Sequence, residues 1–380
     1  MKEDALRLAN SARLALLSVC TAAATLLGAN AAWAQPYSSD LSPGRDPRGR
    51  AELVVCSQNL DNYGSYTDMK RRNVELSLTA YRQKETALVV RIVEAGCDAL
   101  ALQEVLGATE QASKEALAHL ARKLAARTGR SYQVVVGPSN DPFIRPGFII
   151  AMDRAEIVNK VSYVNAELPK ITAEERQRYF SRGPLELQLR VKPFDDEEVK
   201  TVSLINFHFK SRSMRGGRDP SGLEWEPFRM AMAEGLRRIV DARMKEPLSS
   251  GESILVLLGD RNSNFDTATA RILEGILTLK DFQGEAPCRL SKRGVPLCKA
   301  GTAEAQRYFS VLLGDPATRR LQGTIQYGKV YSWFDDIIMP AESLPYAWLD
   351  YAKAGSYACG VIYRPRAASD HALVWARLNW

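Results

Sequence analysis

Several polar residues of this 380-residue chain stand at or just past the ends of apolar, strand-like runs. Asn59 closes a run beginning at Ala51 and shares a face with Leu53, Val55 and Ser57 by two-residue alternation, while Glu104 closes the run from Asp98 on the face of Leu100 and Leu102. His208 follows Val202, Leu204 and Asn206 along a third face, and Asp260 follows Ile254 to Gly259, with Asn262 two residues further on. His371 lies in a second polar cluster, Ser369-Asp370-His371, whereas His119 lies on a helical stretch where a surface or interhelical role is expected. Carboxylates and amides without thiolates offer hard oxygen ligands of the kind magnesium takes, and imidazoles beside them move protons near neutral pH. A lone Asn or Asp after a strand also serves as a turn residue, so Asn59 alone decides little. A carboxylate ending an apolar run, as Glu104 does, is harder to explain that way.

Strands and helices must alternate to bring these ends together, and the hydrophobic pattern says that they do. Strand-like runs are predicted near 51–59, 98–105, 132–136, 147–152, 185–191, 201–209, 253–258, 335–339 and 373–378, with helical stretches near 75–95, 111–128 and 225–245. The pattern implies a mixed α/β chain with buried strands, a single domain over residues 51–380, and charged insertions near 160–184, 211–228 and 281–330. Ligand sites in such sheets gather beyond the carboxyl ends of strands, which is where these polar groups fall. No period of roughly 20 to 50 residues recurs, which excludes solenoids and propellers.

The composition, 46% hydrophobic and 25% charged with a mean hydropathy of −0.23, excludes disorder and collagen-like repeats. Lys and Arg number 51 against 44 Asp and Glu, a net charge of +7 with a pI near 9.0, so the surface attracts polyanions or anionic head groups. Part of that charge follows the His208 run, where Lys210, Arg212, Arg215, Arg218 and Arg229 surround Gly216-Gly217 as a basic loop suited to phosphates. Ahead of the domain, Lys2, Arg7 and Arg13 precede an apolar run from Leu14 to Leu27, and Ala32-Trp33-Ala34 supplies the small residues a signal peptidase requires. A signal peptide over 1–34, cleaved near Ala34, is therefore expected, followed by a flexible segment over 35–50 and a secreted or periplasmic mature protein. The apolar run falls short of the roughly 20 residues a membrane span needs, and Val19 before Cys20 argues against lipidation.

Six cysteines become five once Cys20 leaves with the leader, so at least one thiol stays unpaired in an oxidising compartment. Cys288 and Cys298 flank the basic stretch Arg289 to Leu297 and make the expected local disulfide. Cys56 and Cys97, in or beside apolar runs, are expected as small buried thiols. With no CxxC pair, a structural zinc site is not expected.

Several short signatures, in order along the chain, resemble the endonuclease/exonuclease/phosphatase superfamily, the DNase I-like metal-dependent phosphoesterases. They are Asn59 at the end of the first strand, Leu102-Gln103-Glu104, Asn206-Phe207-His208 with Lys210-Ser211, Gly259-Asp260-Arg261-Asn262, and Ser369-Asp370-His371. Phe334-Asp335-Asp336-Ile337 and Ser181-Arg182-Gly183-Pro184-Leu185 resemble two further elements of the family. The resemblance spans residues 51–380 and implies a four-layer α/β sandwich, two facing mixed sheets flanked by helices, with the site at one end of the sheets.

Hydrolysis of a phosphodiester requires neutralising charge on the phosphoryl oxygens, activating a water and stabilising the leaving oxygen. The resemblance implies Glu104 as the first ligand of a magnesium ion, manganese or calcium being alternatives, with Asn59 and Asp370 near the same ion. Asp260 and Asn262 would orient the attacking water and the phosphate. His371 would act as base or phosphate clamp with Asp335 on its other nitrogen, and His208 would protonate the leaving group or stabilise the phosphorane. Alternation lets only one of Asp335 and Asp336 face the site, and the family's spacing favours Asp335. No acidic partner for His208 is identified. Lys210, Arg212 and Arg182 are the expected phosphate contacts. The implied activity is a nuclease-like phosphodiesterase acting on DNA or RNA, expected to be a monomer with no stable protein partner. A phospholipid or sphingomyelin phosphodiesterase of the same fold is the alternative, and it would need an exposed apolar hairpin such as Tyr346-Ala347-Trp348-Leu349. A non-catalytic binding module is disfavoured because the expected polar positions are occupied.

Overall fold

Two pairs of parallel strands organise the molecule. The computed structural model describes residues 53–172, 174–192, 199–214, 217–218, 223–245, 253–299, 303, 305–327, 330–347 and 357–380. The leader expected over 1–34 and the segment 35–50 lie outside the described residues. In the first sheet β1 (Leu53–Tyr63) runs parallel to β2 (Ala99–Leu106), and β3 (Tyr132–Val136), β4 (Ile144–Ala151), β11 (Cys359–Ile362) and β12 (Leu373–Leu378) extend it antiparallel in the order β11-β12-β1-β2-β4-β3. The second sheet repeats the plan. There β7 (Thr201–His208) runs parallel to β8 (Ser253–Asp260), within the order β9-β10-β8-β7-β6-β5, where β5 is Ala155–Ser162, β6 Leu185–Val191, β9 Tyr308–Ser310 and β10 Asp335–Pro340.

Alternation decides which side chains meet between the sheets. Leu53, Val55, Ala99, Ala101 and Phe148 of the first sheet pack against Leu187, Val202, Leu204, Val256 and Ile337 of the second. On the outer face of the first sheet, Leu100, Leu102 and Trp375 pack under α2 (Leu78–Ala95) and α3 (Glu110–Thr128), beyond the short α1 (Tyr66–Arg72). On the outer face of the second, Ile205, Phe207 and Leu257 pack under α4 (Glu226–Met244) and α5 (Ala268–Leu273). The result is helix, sheet, sheet, helix: a four-layer α/β sandwich.

Local signals fix several element ends. The helical pattern from Glu75 begins only at Leu78, because the Ser77 hydroxyl accepts from the Ala80 amide as an N-cap, and it stops at Gly96, whose φ of 64° suits glycine. Strands β5, β9 and β11 fall where no strand is expected from the pattern; β5 and β11 are sheet edges of eight and four residues, too short or too polar to alternate clearly. His119 on α3 lies 2.8 Å from Glu85 on α2, an interhelical contact.

The cysteines differ in one respect from the expectation. Cys288 and Cys298 form a disulfide, and so do Cys56 and Cys97, which are therefore not free buried thiols. They are 41 positions apart in sequence, yet their Cα atoms are 5.8 Å apart, because the residues leading into β2 lie beside its parallel neighbour β1. Cys359, on β11, is buried and unpaired. Among the described residues no helix is long and apolar enough to cross a membrane.

Candidate active site

Strand parity carries Asn59, His208, Asp260 and Asp335 to one rim of the space between the sheets. Each is even with inner-face residues of its own strand: Val55, Leu204, Leu258 and Ile337. Neither β1 nor β2 stops where the sequence suggested, since β1 runs on to Tyr63 and β2 to Leu106. Glu104 is the exception to parity. Leu100 and Leu102 face the helices, so regular alternation would send Glu104 beneath them too. The pairing of β2 with β4 slips between Leu102 and Val105, β1 slips between Asn59 and Tyr63, and Glu104 adopts φ 59°. A bulge with left-handed backbone turns the carboxylate back to the rim, a common use of bulges beside functional sites.

At that rim the groups form one contiguous set. Asn59 Nδ2 lies 3.3 Å from Glu104 Oε1 and donates to Asp260 Oδ2 at 3.0 Å. The Asn62 amide holds the other Glu104 oxygen at 3.1 Å. His208 Nε2 faces Glu104 Oε1 at 3.6 Å and Asp260 Oδ2 at 3.5 Å, without a hydrogen bond to either. That nitrogen is buried and has no hydrogen-bond partner among the described residues. His371 Nδ1 bonds Asp335 at 2.8 Å, and its Nε2 points toward Asp260 Oδ2 at 3.9 Å. Asp336 turns the other way, onto Arg261 at 2.9 Å and the Ser310 hydroxyl at 2.6 Å. Asp260, Asp335 and His371 lie close enough to share an ion, but the Asp335 carboxylate is already engaged with His371 Nδ1.

Burial splits the proton affinities of these groups. The Glu104 carboxyl is raised by loss of solvent, against the opposing charge of Arg182, and Asp260 is pushed up to about 6, again chiefly by burial. His208 is held well below the ordinary imidazole range by burial, reinforced by Arg182 and His371. Burial also works against charge on His371, but Asp335 and Asp260 outweigh it and raise the imidazole well above that range. At neutral pH the rim thus holds a neutral His208 and a cationic His371.

The donors fit a hard divalent cation. Glu104 and Asp260 are carboxylates raised chiefly by loss of solvent, and among the described residues the one free cysteine is Cys359 on β11. Glu104 and the Asn59 amide would hold the ion. Asp370 is not brought to them: it is exposed, accepts from its neighbour Ser369 at 3.5 Å, and acts on the set through its charge on His371.

The phosphate contacts separate into different groups. Arg182 is buried, donates to the Phe209 carbonyl at 2.9 Å and lies 3.6 Å from Asp141, while its Nε has no partner among the described residues. Lys210 sits 4.9 Å above the Trp225 ring, and burial lowers its pKa. Arg212 donates to the Asn262 carbonyl at 3.3 Å and stacks on Phe334 at 4.6 Å. Arg229 does not belong to the basic loop: it is fully buried on α4, with its guanidinium on Glu226 at 3.0 Å. Arg215 and the Arg218 side chain lie outside the described residues.

Residues around these groups hold them in place, and of these Glu226, Thr324 and Arg91 were not among the sequence candidates. Gly259 admits close approach of β7, since a Cβ there would meet the Phe207 oxygen at 1.9 Å. Asn262, at φ 51°, donates its backbone amide to Asp260 Oδ1 at 2.6 Å and its side-chain amide to Oδ2 at 3.0 Å, so both donors orient Asp260. Glu226 accepts from Ser263 at 2.9 Å and from the Thr269 amide at 3.0 Å, which fixes the loop after Asn262. Thr324 Oγ1 receives the Asp335 amide at 2.9 Å. Arg91, fully buried on α2, donates to the His371 carbonyl at 2.7 Å, to Gln58 at 2.9 Å, to Pro365 O at 3.0 Å and to Tyr363 O. A long charged residue in a helix that is otherwise amphipathic was the only available signal for Arg91.

Fold and site together define a four-layer α/β sandwich with a buried carboxylate and imidazole centre at one end of its sheets. No family model and no curated protein matches the chain. Among solved structures it is similar to an endonuclease/exonuclease/phosphatase family protein from Leptotrichia buccalis, at 12% identity over 86% of this chain and 100% of that one, with a TM-score of 0.48. It is also similar to the human Nocturnin catalytic domain, at 15% identity over 85% and 93% with a TM-score of 0.47, and to a humanized D. rerio TDP2, at 15% over 90% and 100% with a TM-score of 0.46.

Proposed function

We propose that this protein is an exported, divalent-metal-dependent phosphodiesterase whose substrate is a nucleic acid. The observation that carries the reading is the Asn59 amide lying between Glu104 and Asp260, beside the unpartnered Nε2 of a neutral His208. A divalent cation bound there supplies charge neutralisation at a phosphoryl oxygen. Asp260, fixed by Asn59 and Asn262 and pushed up to about 6, is ionised at neutral pH and basic enough to take a proton from an attacking water. The His371 imidazolium, steadied by Asp335, presents positive charge and a proton at Nε2, and His208 Nε2 offers a hydrogen bond to the phosphoryl group. Two disulfides support the export reading. The basic surface suits a polyanionic substrate. The candidate lipid hairpin gives lipid entry no support, for Tyr346 packs against the core and Ala347 is buried, while Trp348 and Leu349 lie outside the described residues.

The test is incubation of the mature protein with plasmid DNA, RNA, sphingomyelin vesicles and a small generic phosphodiester, with magnesium or with EDTA. Cleavage of nucleic acid with magnesium and none with EDTA is expected. Loss of about 10²- to 10³-fold is expected in His208→Ala, the range for removing a hydrogen-bond donor aimed at charge that develops in the transition state. Turnover of lipid alone would overturn the substrate assignment, and turnover of none of the four would overturn the enzyme.

A further inference from the structure

Residues 288–298 form a part of the surface that the site does not use. Cys288 and Cys298 close a hairpin whose strands, Arg289–Leu290 and Pro296–Leu297, pair antiparallel around a turn with Gly294 at φ 79°. Between Ala286 and Lys299 the sequence has no acidic residue. Arg289, Lys292 and Arg293 are all exposed, and none has an ion-pair or side-chain hydrogen-bond partner among the described residues. The turn leans on the loop that carries Asn262. The Gly294 carbonyl accepts from the Ala268 amide at 2.9 Å, and a Cβ at Gly294 would lie 3.5 Å from Thr267. Thr267 shares a hydroxyl hydrogen bond with Ser263 at 2.9 Å, and Ser263 follows Asn262. Arg212 reaches the same loop through the Asn262 carbonyl.

We infer that this disulfide-closed hairpin is a second phosphate-binding subsite that extends the cleavage site along a nucleic-acid backbone. The inference deepens the function proposed above and rests on it for the identity of the substrate. Three unpartnered cations on a cross-linked ribbon are held ready for several phosphates at once, with little ordering cost on binding. A single exposed large apolar residue, Leu297, is too little for insertion into a bilayer, whereas a polyanion needs only the charges.

The experiment compares the full mature chain with R289A/K292A/R293A. Binding of a fluorescein-labelled DNA oligonucleotide is followed in EDTA across a salt series, beside hydrolysis of long DNA and of bis(p-nitrophenyl) phosphate with magnesium. The triple variant is expected to bind about tenfold or more weakly at low salt, with a salt-dependence slope shallower by about 2 to 3. Its KM for long DNA should rise while turnover of the small diester and the melting temperature stay the same, and R289K/R293K should bind as the parent does. Equal DNA affinity and equal slope would overturn the subsite. Because the binding arm needs no catalysis, weakened binding in a protein that cleaves no nucleic acid would keep the subsite and overturn the proposed reaction instead.

Discussion

At the scale of single residues, the site is a competition between burial and charge. Asp260 is ionised only at a cost, which gives a pH dependence of known sign. Its folded carboxyl holds a proton up to about 6, whereas in the unfolded chain it ionises near about 4, so the folded state binds more protons within that window. Stability should therefore fall as pH rises from about 4 to about 6, by about 3 kcal/mol at most from this group. Urea unfolding in EDTA should show that decline in the parent and a much flatter profile in Asp260→Asn; equal slopes would mean that Asp260 is not the desolvated carboxyl. Asn59 and His208 were legible in the sequence because two-residue alternation aligns each with a face of its strand, and Asp260 because it ends an apolar run, whereas Asp335 was separated from Asp336 only by the family resemblance. Glu104 was legible only as a carboxylate in an odd place. Its aim comes from a bulge, and a bulge leaves no mark on hydrophobic periodicity.

Elements supply the positioning. Helix α2 was plain from its pattern and its caps, but its function toward the site is carried by Arg91, which ties four oxygens together, among them the His371 carbonyl and two more from residues 363–365. Arg91→Met keeps most of the volume and removes those bonds. It is expected to lower kcat at least about tenfold with a smaller change in KM, since a shift of the order of an ångström in a catalytic group costs that much or more. It should also move the kcat–pH profile, because His371 would lose its register with Asp335. A lowered melting temperature with an unchanged pH profile would reduce Arg91 to a structural residue. The Cys56 to Cys97 disulfide escaped the sequence because it depends on which strands are neighbours, and pairing order is a property of the whole sheet.

Over the whole molecule, the two sheets must keep a fixed register for the two halves of the site to meet. Asn59 and Glu104 come from the first sheet, and His208, Asp260 and Asp335 from the second. A buried polar clasp sets that register: Gln103 Nε2 donates to Asn206 Oδ1 at 2.8 Å, and Asn206 Nδ2 donates to the Leu102 and Gly147 carbonyls at 2.9 Å each. Both residues sit inside short signatures that were legible as motifs, and their partners were not, because contacts between sheets have no local spacing. The mixed α/β character was equally legible, whereas the basic hairpin's position beside the Asn262 loop required the fold. The central claim is that these dispersed groups converge on a single cation, and anomalous diffraction from manganese-soaked crystals of the mature protein tests it most directly. The account predicts a peak bonded to the Glu104 carboxylate that disappears in Glu104→Gln; a peak elsewhere with the Glu104 rim empty would contradict it.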